Sequence, residues 1–213
     1  MPLGIILIVL SYLLGSVPFG LLIGKAAGKD LRKSGSGNIG STNAVRTLGL
    51  KLGLLSAVCD ILKGTLVILV VYLLEHITNW RNPFVINGDS LYALYGVVAV
   101  IGHCFPVYLK FKGGKAVATS LGVLFVTVPY AALAALVAFV ITMLICGYVS
   151  LGSTFATISA LITSFLVYGF LLYNNIYTCI VISVLAILIF IKHIPNYKRL
   201  LNGTESSFKK KKA

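Results

Sequence analysis

Negative charge is almost missing from this chain. Its 213 residues include five Asp and Glu against 18 Lys and Arg, and charged residues of both signs make up only 11%. With 58% hydrophobic residues and a mean hydropathy of +0.99, the composition lies outside the range of ordinary soluble domains. Metal ligands are equally sparse. His76, His103 and His193 have no ligand spacing with one another or with the few carboxylates, so no metal is indicated. Cys59, Cys104, Cys146 and Cys179 lie in or beside apolar runs without paired spacing, which excludes a disulfide framework or zinc knuckle and leaves them as small apolar fillers. No basic stretch precedes the first apolar run, Pro2 to Ile23, whose charges follow it at Lys25 and Lys29. That flank order predicts a retained helix with its N-terminus outside rather than a cleaved signal peptide.

What is present is a series of uncharged apolar runs, such as Gly64 to Leu74 and Ile180 to Ile191, suited to a hydrocarbon core that takes about 20 helical residues to cross. The prediction is an all-α, polytopic integral membrane bundle of about seven transmembrane helices. They fall at about residues 3–24, 50–75, 90–109, 114–128, 129–147, 150–173 and 175–192. Residues 1–208 form a single transmembrane domain and 209–213 a basic tail. As one helix, residues 114–147 would reach roughly 50 Å against a core of roughly 30 Å, so a break is expected, at Pro129, with a short fourth helix.

The net charge of +13 reads as the positive-inside rule rather than as nucleic-acid binding. With the break at Pro129, Lys25–Lys51, Lys110–Lys115 and Lys192–Lys212 share one compartment, leaving Arg81 on the other side and Lys63 inside a span. Without it, the seven positive charges of the C-terminal region would be exported. The expected topology is therefore N-terminus outside and C-terminus cytoplasmic.

Three polar segments interrupt the apolar frame. The first, Lys33 to Gly49, is dense in Gly, Ser, Thr and Asn and closes on Arg46. Its exposed backbone N–H groups, with Ser36, Asn38, Gly40, Thr42 and Asn43, suit an anion better than a flexible linker does. The second, Gly102 to Thr119, centres on Lys112, Gly113, Gly114 and Lys115 and runs into an apolar helix whose N-terminal N–H groups and dipole favour a phosphate. It lacks the Walker pattern. The plainer reading, lysines anchoring a helix at the headgroups, leaves the two glycines unexplained. The third, Lys192 to Glu205, follows the last span. There His193 and Asn196 share a face if the helix continues through Pro195. Deeper in the second span, Asp60 and Lys63 stand three apart and can pair, supporting the polar loops from below. Ser150 and Ser153 at the start of the sixth span are read as packing residues or as part of the same polar region.

These segments resemble, in order and spacing, the bacterial membrane acyl-phosphate:glycerol-3-phosphate acyltransferases, with SGSGNIGSTNAVR, GHCFPVYLKFKGGKAVAT and HIPNYKRLLNGTE as the three motifs. The likeness covers essentially the whole chain. Departures are Ile39 for proline, Ser41 for alanine and Ala116 for glycine, the last costing little if its φ stays negative. The resemblance implies transfer of an acyl chain from acyl phosphate to the 1-hydroxyl of glycerol 3-phosphate, giving lysophosphatidic acid and phosphate at the cytoplasmic face of a bacterial cell membrane. It carries Ser36, Arg46, Lys115, His193 and Asn196 onto the active site. With them go His103, Lys112, Gly113, Gly114, Thr119 and Glu205 of the motifs as substrate-binding positions.

An acyl phosphate is already activated, so no cofactor is demanded. Lys115 and the N–H groups around Gly114 would hold the donor phosphate, and Arg46 with the first-segment donors the other. His193 or a substrate phosphate oxygen would take the hydroxyl proton. The H-x-x-x-x-D dyad of other glycerol-phosphate acyltransferases is excluded, since Tyr108 lies five residues after His103. Expected partners are the two substrates, membrane lipid and a soluble enzyme supplying acyl phosphate. The alternative is a small membrane transporter of an organic phosphate. Transporters usually carry internal repeats and midplane sites, and no repeat between halves is found.

Overall fold

The computed structural model describes residues 1–86, 89–171 and 176–209. Its contacts divide the chain into two compact units, Met1–Thr127 and Val128–Ala213.

The first unit opens with α1 (Pro2–Ser16) and α2 (Phe19–Ala26), bent by 42° at the Val17–Pro18 break. Proline supplies no N–H and crowds the preceding turn, so one expected span, 3–24, becomes a broken pair. A short 3₁₀ turn (Leu31–Lys33) and α3 (Ser41–Leu48) carry the first polar segment. α4 (Leu50–Ile77) follows, 28 residues or about 42 Å long, enough to exceed a bilayer core. A two-residue hairpin, β1 (Val85–Ile86) paired antiparallel with β2 (Asp89–Ser90), leads into α5 (Tyr92–Cys104). α6 (Val117–Thr127) has only eleven residues and is the short fourth segment expected.

Helices here meet through small residues, as membrane interfaces without a strong hydrophobic drive require. Gly15 of α1 lies against the backbone of Ala99 in α5, and Gly64 of α4 against the carbonyl of Thr119 in α6. Thr65 Oγ1 donates to the Gly122 carbonyl at 3.0 Å across the α4–α6 seam. At the other end, Leu7, Val71 and Tyr95 form a buried cluster, with the Tyr95 hydroxyl donating to Asn82 Oδ1 at 3.0 Å. Leu54, Val58, Leu62 and Leu66 of α4 are exposed, an apolar outer face that fits lipid and not water.

The second unit holds α7 (Pro129–Cys146), α8 (Val149–Thr163) with a π-helical continuation to Leu171, and α9 (Ile176–Leu201). The expected break before Pro129 is present, with Pro129 at the first turn of α7, where its missing N–H costs nothing. The boundary expected at residues 173–175 and most of the basic tail, Lys210 to Lys212, lie outside the described residues.

Among the described residues, five helices are long and apolar enough to cross a membrane, or six with the bent α1–α2 pair. One boundary needs correction. The last span was expected to end near Lys192, yet α9 continues to Leu201 through Pro195. Pro195 is exposed. Its missing N–H frees the Ile191 carbonyl at an exposed position, where the loss is tolerated.

Candidate active site

The first segment is organised by one side chain. Asn43, 1% exposed in the first turn of α3, accepts from the Ser36 N–H at 2.9 Å and donates to the carbonyls of Leu31, Ser34 and Asn38 at 3.0, 3.0 and 2.8 Å. Its amide therefore shapes the loop and has nothing left for a ligand, which corrects its expected role as a phosphate donor. Asn38 Oδ1 accepts from the Gly40 N–H at 2.9 Å, an Asx turn that delivers the chain to α3. Gly35 and Gly37 have φ of +58° and +71°, and a Cβ on Gly35 would also strike Asn43 Oδ1. On this frame Ser36 is exposed, and Gly40, Thr42 and Arg46 are half-buried along α3 and its start. Lys29 Nζ donates to the Thr47 carbonyl at 2.9 Å, closing the C-terminal end of α3. At the entrance to the segment, the Arg32 guanidinium hydrogen-bonds Asp30, with the shortest contact at 2.6 Å, and holds that carboxyl down at about 2.

The second segment rests on a buried polar chain. Asp60 and Lys63 pair at 2.8 Å, as their i, i+3 spacing predicts, with side chains 3% and 1% exposed. Lys63 Nζ also donates to the Val17 carbonyl at 2.9 Å, using the acceptor freed where α1 breaks. On the other side, Asp60 Oδ1 lies 3.5 Å from His103 Nδ1, and Thr119 Oγ1 lies 3.3 Å from the same nitrogen. The expected support from below is thus observed, and it ends on a residue of the second motif.

Two expectations for this segment are corrected. Gly113 and Gly114, whose φ values are not positive, were expected to open the backbone to a phosphate. They are required because the loop lies directly on the end of α5: a Cβ on Gly113 would strike the His103 carbonyl and Pro106, and one on Gly114 would strike His103 Nε2. The Gly114 N–H donates to the His103 carbonyl at 3.1 Å, so it is not a phosphate donor. The N–H groups without an intrahelical partner are those of Val117, Ala118 and Thr119 in the first turn of α6, beside the half-buried Lys115 and the exposed Lys112. Ala116 has φ of +58°, not the negative value expected, so this alanine occupies a left-handed position that suits glycine.

In the second unit, His193 and Asn196 are both buried on one face of α9. His193 Nδ1 lies 2.8 Å from the Ile189 carbonyl. A carbonyl can only accept, so the hydrogen is on Nδ1. Asn196 Nδ2 and Arg199 Nε donate to the two oxygens of Glu205 at 2.7 Å each. Burial raises the Glu205 pKa, but these bonds, with the nearby Ser150 hydroxyl, outweigh it and hold the carboxyl below its ordinary value. Sequence reasoning missed this clamp and the His103–Asp60 link. The only signals were that the five acidic residues are few and that two of them, Asp60 and Glu205, stand near motif residues.

These features define a polytopic helical membrane protein with a Gly-rich polar loop and a basic loop in its first unit, and a buried His/Asn face in its second. The family model for glycerol-3-phosphate acyltransferase matches residues 5–203, and the chain belongs to that family. A glycerol-3-phosphate acyltransferase of Desulfotalea psychrophila is 48% identical over 95% of this chain and 96% of its own. That of Bacillus subtilis is 43% identical over 96% and 97%. Two crystal structures of PlsY, an integral membrane glycerol 3-phosphate acyltransferase, in its glycerol 3-phosphate and lysophosphatidic acid forms, are 38% identical. They superpose with TM-scores of 0.83 and 0.82, over 97% of this chain and 96% and 95% of theirs.

Proposed function

We propose that this protein transfers an acyl chain from acyl phosphate to the 1-hydroxyl of glycerol 3-phosphate, forming lysophosphatidic acid and inorganic phosphate. The observation that carries the reading is membership of the glycerol-3-phosphate acyltransferase family over nearly the whole chain, including 38% identity to a structure named for its glycerol 3-phosphate form. The hydroxyl oxygen attacks the acyl carbon, the acyl–oxygen bond to phosphate breaks, and phosphate leaves with the bonding pair. Lys115 and the first-turn N–H groups of α6 receive the phosphate of the donor, where leaving-group charge develops. Ser36, Thr42 and Arg46, on the frame that Asn43 sets, receive the phosphate of the acceptor. His193 acts through Nε2, since Nδ1 is committed to Ile189. It either takes the hydroxyl proton or donates to a phosphate oxygen while a substrate oxygen takes that proton. Asn196, oriented by Glu205, serves the same reaction.

The reading places the protein in the bacterial plasma membrane with its N-terminus outside. The lysine-rich segments and the chemistry face the cytoplasm, where a soluble enzyme supplies acyl phosphate. Purified protein in detergent, offered acyl phosphate, acyl-CoA and acyl carrier protein in parallel with glycerol 3-phosphate, is expected to form lysophosphatidate from acyl phosphate alone, and Lys115→Ala to lose most of that rate while inserting normally. Product from acyl-CoA only would overturn the donor assignment. Uptake of an organic phosphate into vesicles without acyl transfer would favour the transporter.

A further inference from the structure

The mechanism above makes no use of Asp60, a carboxylate buried within the first unit. It stands on the same face of α4 as Lys63 and Gly64, and that face meets the second segment at two places and the α1 break at a third. Asp60 reaches the His103 ring, Lys63 holds the Asp60 charge and the Val17 carbonyl, and Gly64 abuts the Thr119 backbone. A neutral salt bridge would serve packing alone without any contact to His103. Here the carboxylate oxygen that meets Lys63 is also the one nearest His103 Nδ1. The remaining ring nitrogen, Nε2, sits where a Cβ of Gly114 would fall, one residue from Lys115.

We propose that Asp60 is a positioning residue for acyl transfer, its carboxylate keeping the His103 hydrogen on Nδ1 and so fixing the ring on which Gly114, the residue before Lys115, is laid. An ionised carboxylate only accepts, so it favours the tautomer with Nδ1–H. Thr119 Oγ1, on the same side of the ring, can accept from the same N–H. Nε2 then carries no hydrogen and can only accept. With Asp60 gone, either tautomer is available and the ring is free to turn, so the loop it supports loses its fixed height above α5. Lys63 neutralises the carboxylate and anchors the pair to the α1 break; its part is to make the buried charge tolerable.

The inference rests on the acyl-transfer reading, and three variants with one spectrum separate the two. Asp60→Asn with Lys63→Met removes both charges together, so no lysine is left unpaired. Carboxylates that orient metal-ligating histidines are worth roughly 10- to 100-fold, and by the same orienting action a loss of about that order in kcat/KM is expected at a nearly unchanged thermal midpoint. His103→Gln should lose a similar factor, and the triple variant should be no slower than His103→Gln. Wild-type rates in the charge-free pair would reduce it to a packing element. Losses that multiply in the triple variant would show that Asp60 does not act through His103. Nitrogen-15 NMR of the wild-type protein, with His103→Gln for assignment, needs no variant to be active. It should show a protonated Nδ1 and a bare Nε2 for His103, and the opposite tautomer overturns the proposal. A wild-type protein that makes no lysophosphatidate would refute acyl transfer while leaving the NMR result to stand or fall by itself.

Discussion

Replacing Asn43 by alanine removes its whole hydrogen-bond set at once: the bond accepted from Ser36 N–H and those its two amide hydrogens share among the carbonyls of Leu31, Ser34 and Asn38. At a net 0.5–1.5 kcal/mol for the accepted bond and for each of the two amide hydrogens, the loss would sum to roughly 1.5–4.5 kcal/mol. Water can reach the exposed part of the loop and satisfy some of these groups, so about 1–3 kcal/mol is the expected local loss. The bonds all lie within residues 31–43, so the energy comes out of the order of that loop while the α4–α5–α6 packing is retained. Hydrogen exchange in residues 31–43 should accelerate by roughly 5- to 150-fold, the equivalent of that energy, with exchange in α4 and α5 unchanged. KM for glycerol 3-phosphate should rise more than KM for the acyl donor, because Ser36 and Arg46 lose their frame. Asn43→Asp tests the chemistry more narrowly. It keeps an acceptor for Ser36 but turns a second oxygen toward three carbonyls, and should be at least as harmful as alanine. Unchanged exchange and an unchanged KM in the alanine variant would refute the assignment of Asn43 as the keystone of the first segment.

Ala116→Gly should be neutral or stabilising. Relief of a left-handed alanine is worth roughly 1–2 kcal/mol against roughly 0.4–1 kcal/mol of added chain entropy, and a lowered thermal midpoint in detergent would contradict this. Gly114→Ala places a methyl group against the His103 ring; kcat/KM should fall roughly 100-fold through misplacement of the loop, and normal activity would show that the loop yields. For Glu205 the folded pKa lies below the ordinary one, so the clamp contributes fully above the ordinary carboxylate range and is lost as pH falls through the depressed value. Exchange protection of residues 203–209 should therefore be flat from pH 6 to 9 in wild type and weakened throughout in Glu205→Gln; loosening near neutral pH would be against it.

Membrane class, the break before Pro129 and the Asp60–Lys63 pair were legible in the sequence because each follows from strong local rules. Those rules are the exclusion of charge from lipid, the geometry of proline, and the i, i+3 spacing of a helix. The motifs were legible as residue types. What each residue does was less so. The end of α9 was misplaced because polarity marks the bilayer boundary, whereas a helix stops only when its hydrogen bonding does, here at Gly203 with φ of +66°. Gly113 and Gly114 looked like space for an anion and proved to be space for His103 and Pro106, a contact between α5 and the loop after it that no spacing encodes. Asn43 looked like one more donor among several. Only the turn made by Gly35 and Gly37 points four backbone groups at it.

The most direct measurement of the central claim follows one oxygen atom. Glycerol 3-phosphate labelled with oxygen-18 at its 1-hydroxyl, incubated with the purified protein and unlabelled acyl phosphate, should give lysophosphatidate carrying the label in its ester, with one unlabelled phosphate released per product. Glycerol bisphosphate with free fatty acid would mean that the phosphoryl group, not the acyl group, is transferred, and would contradict the account.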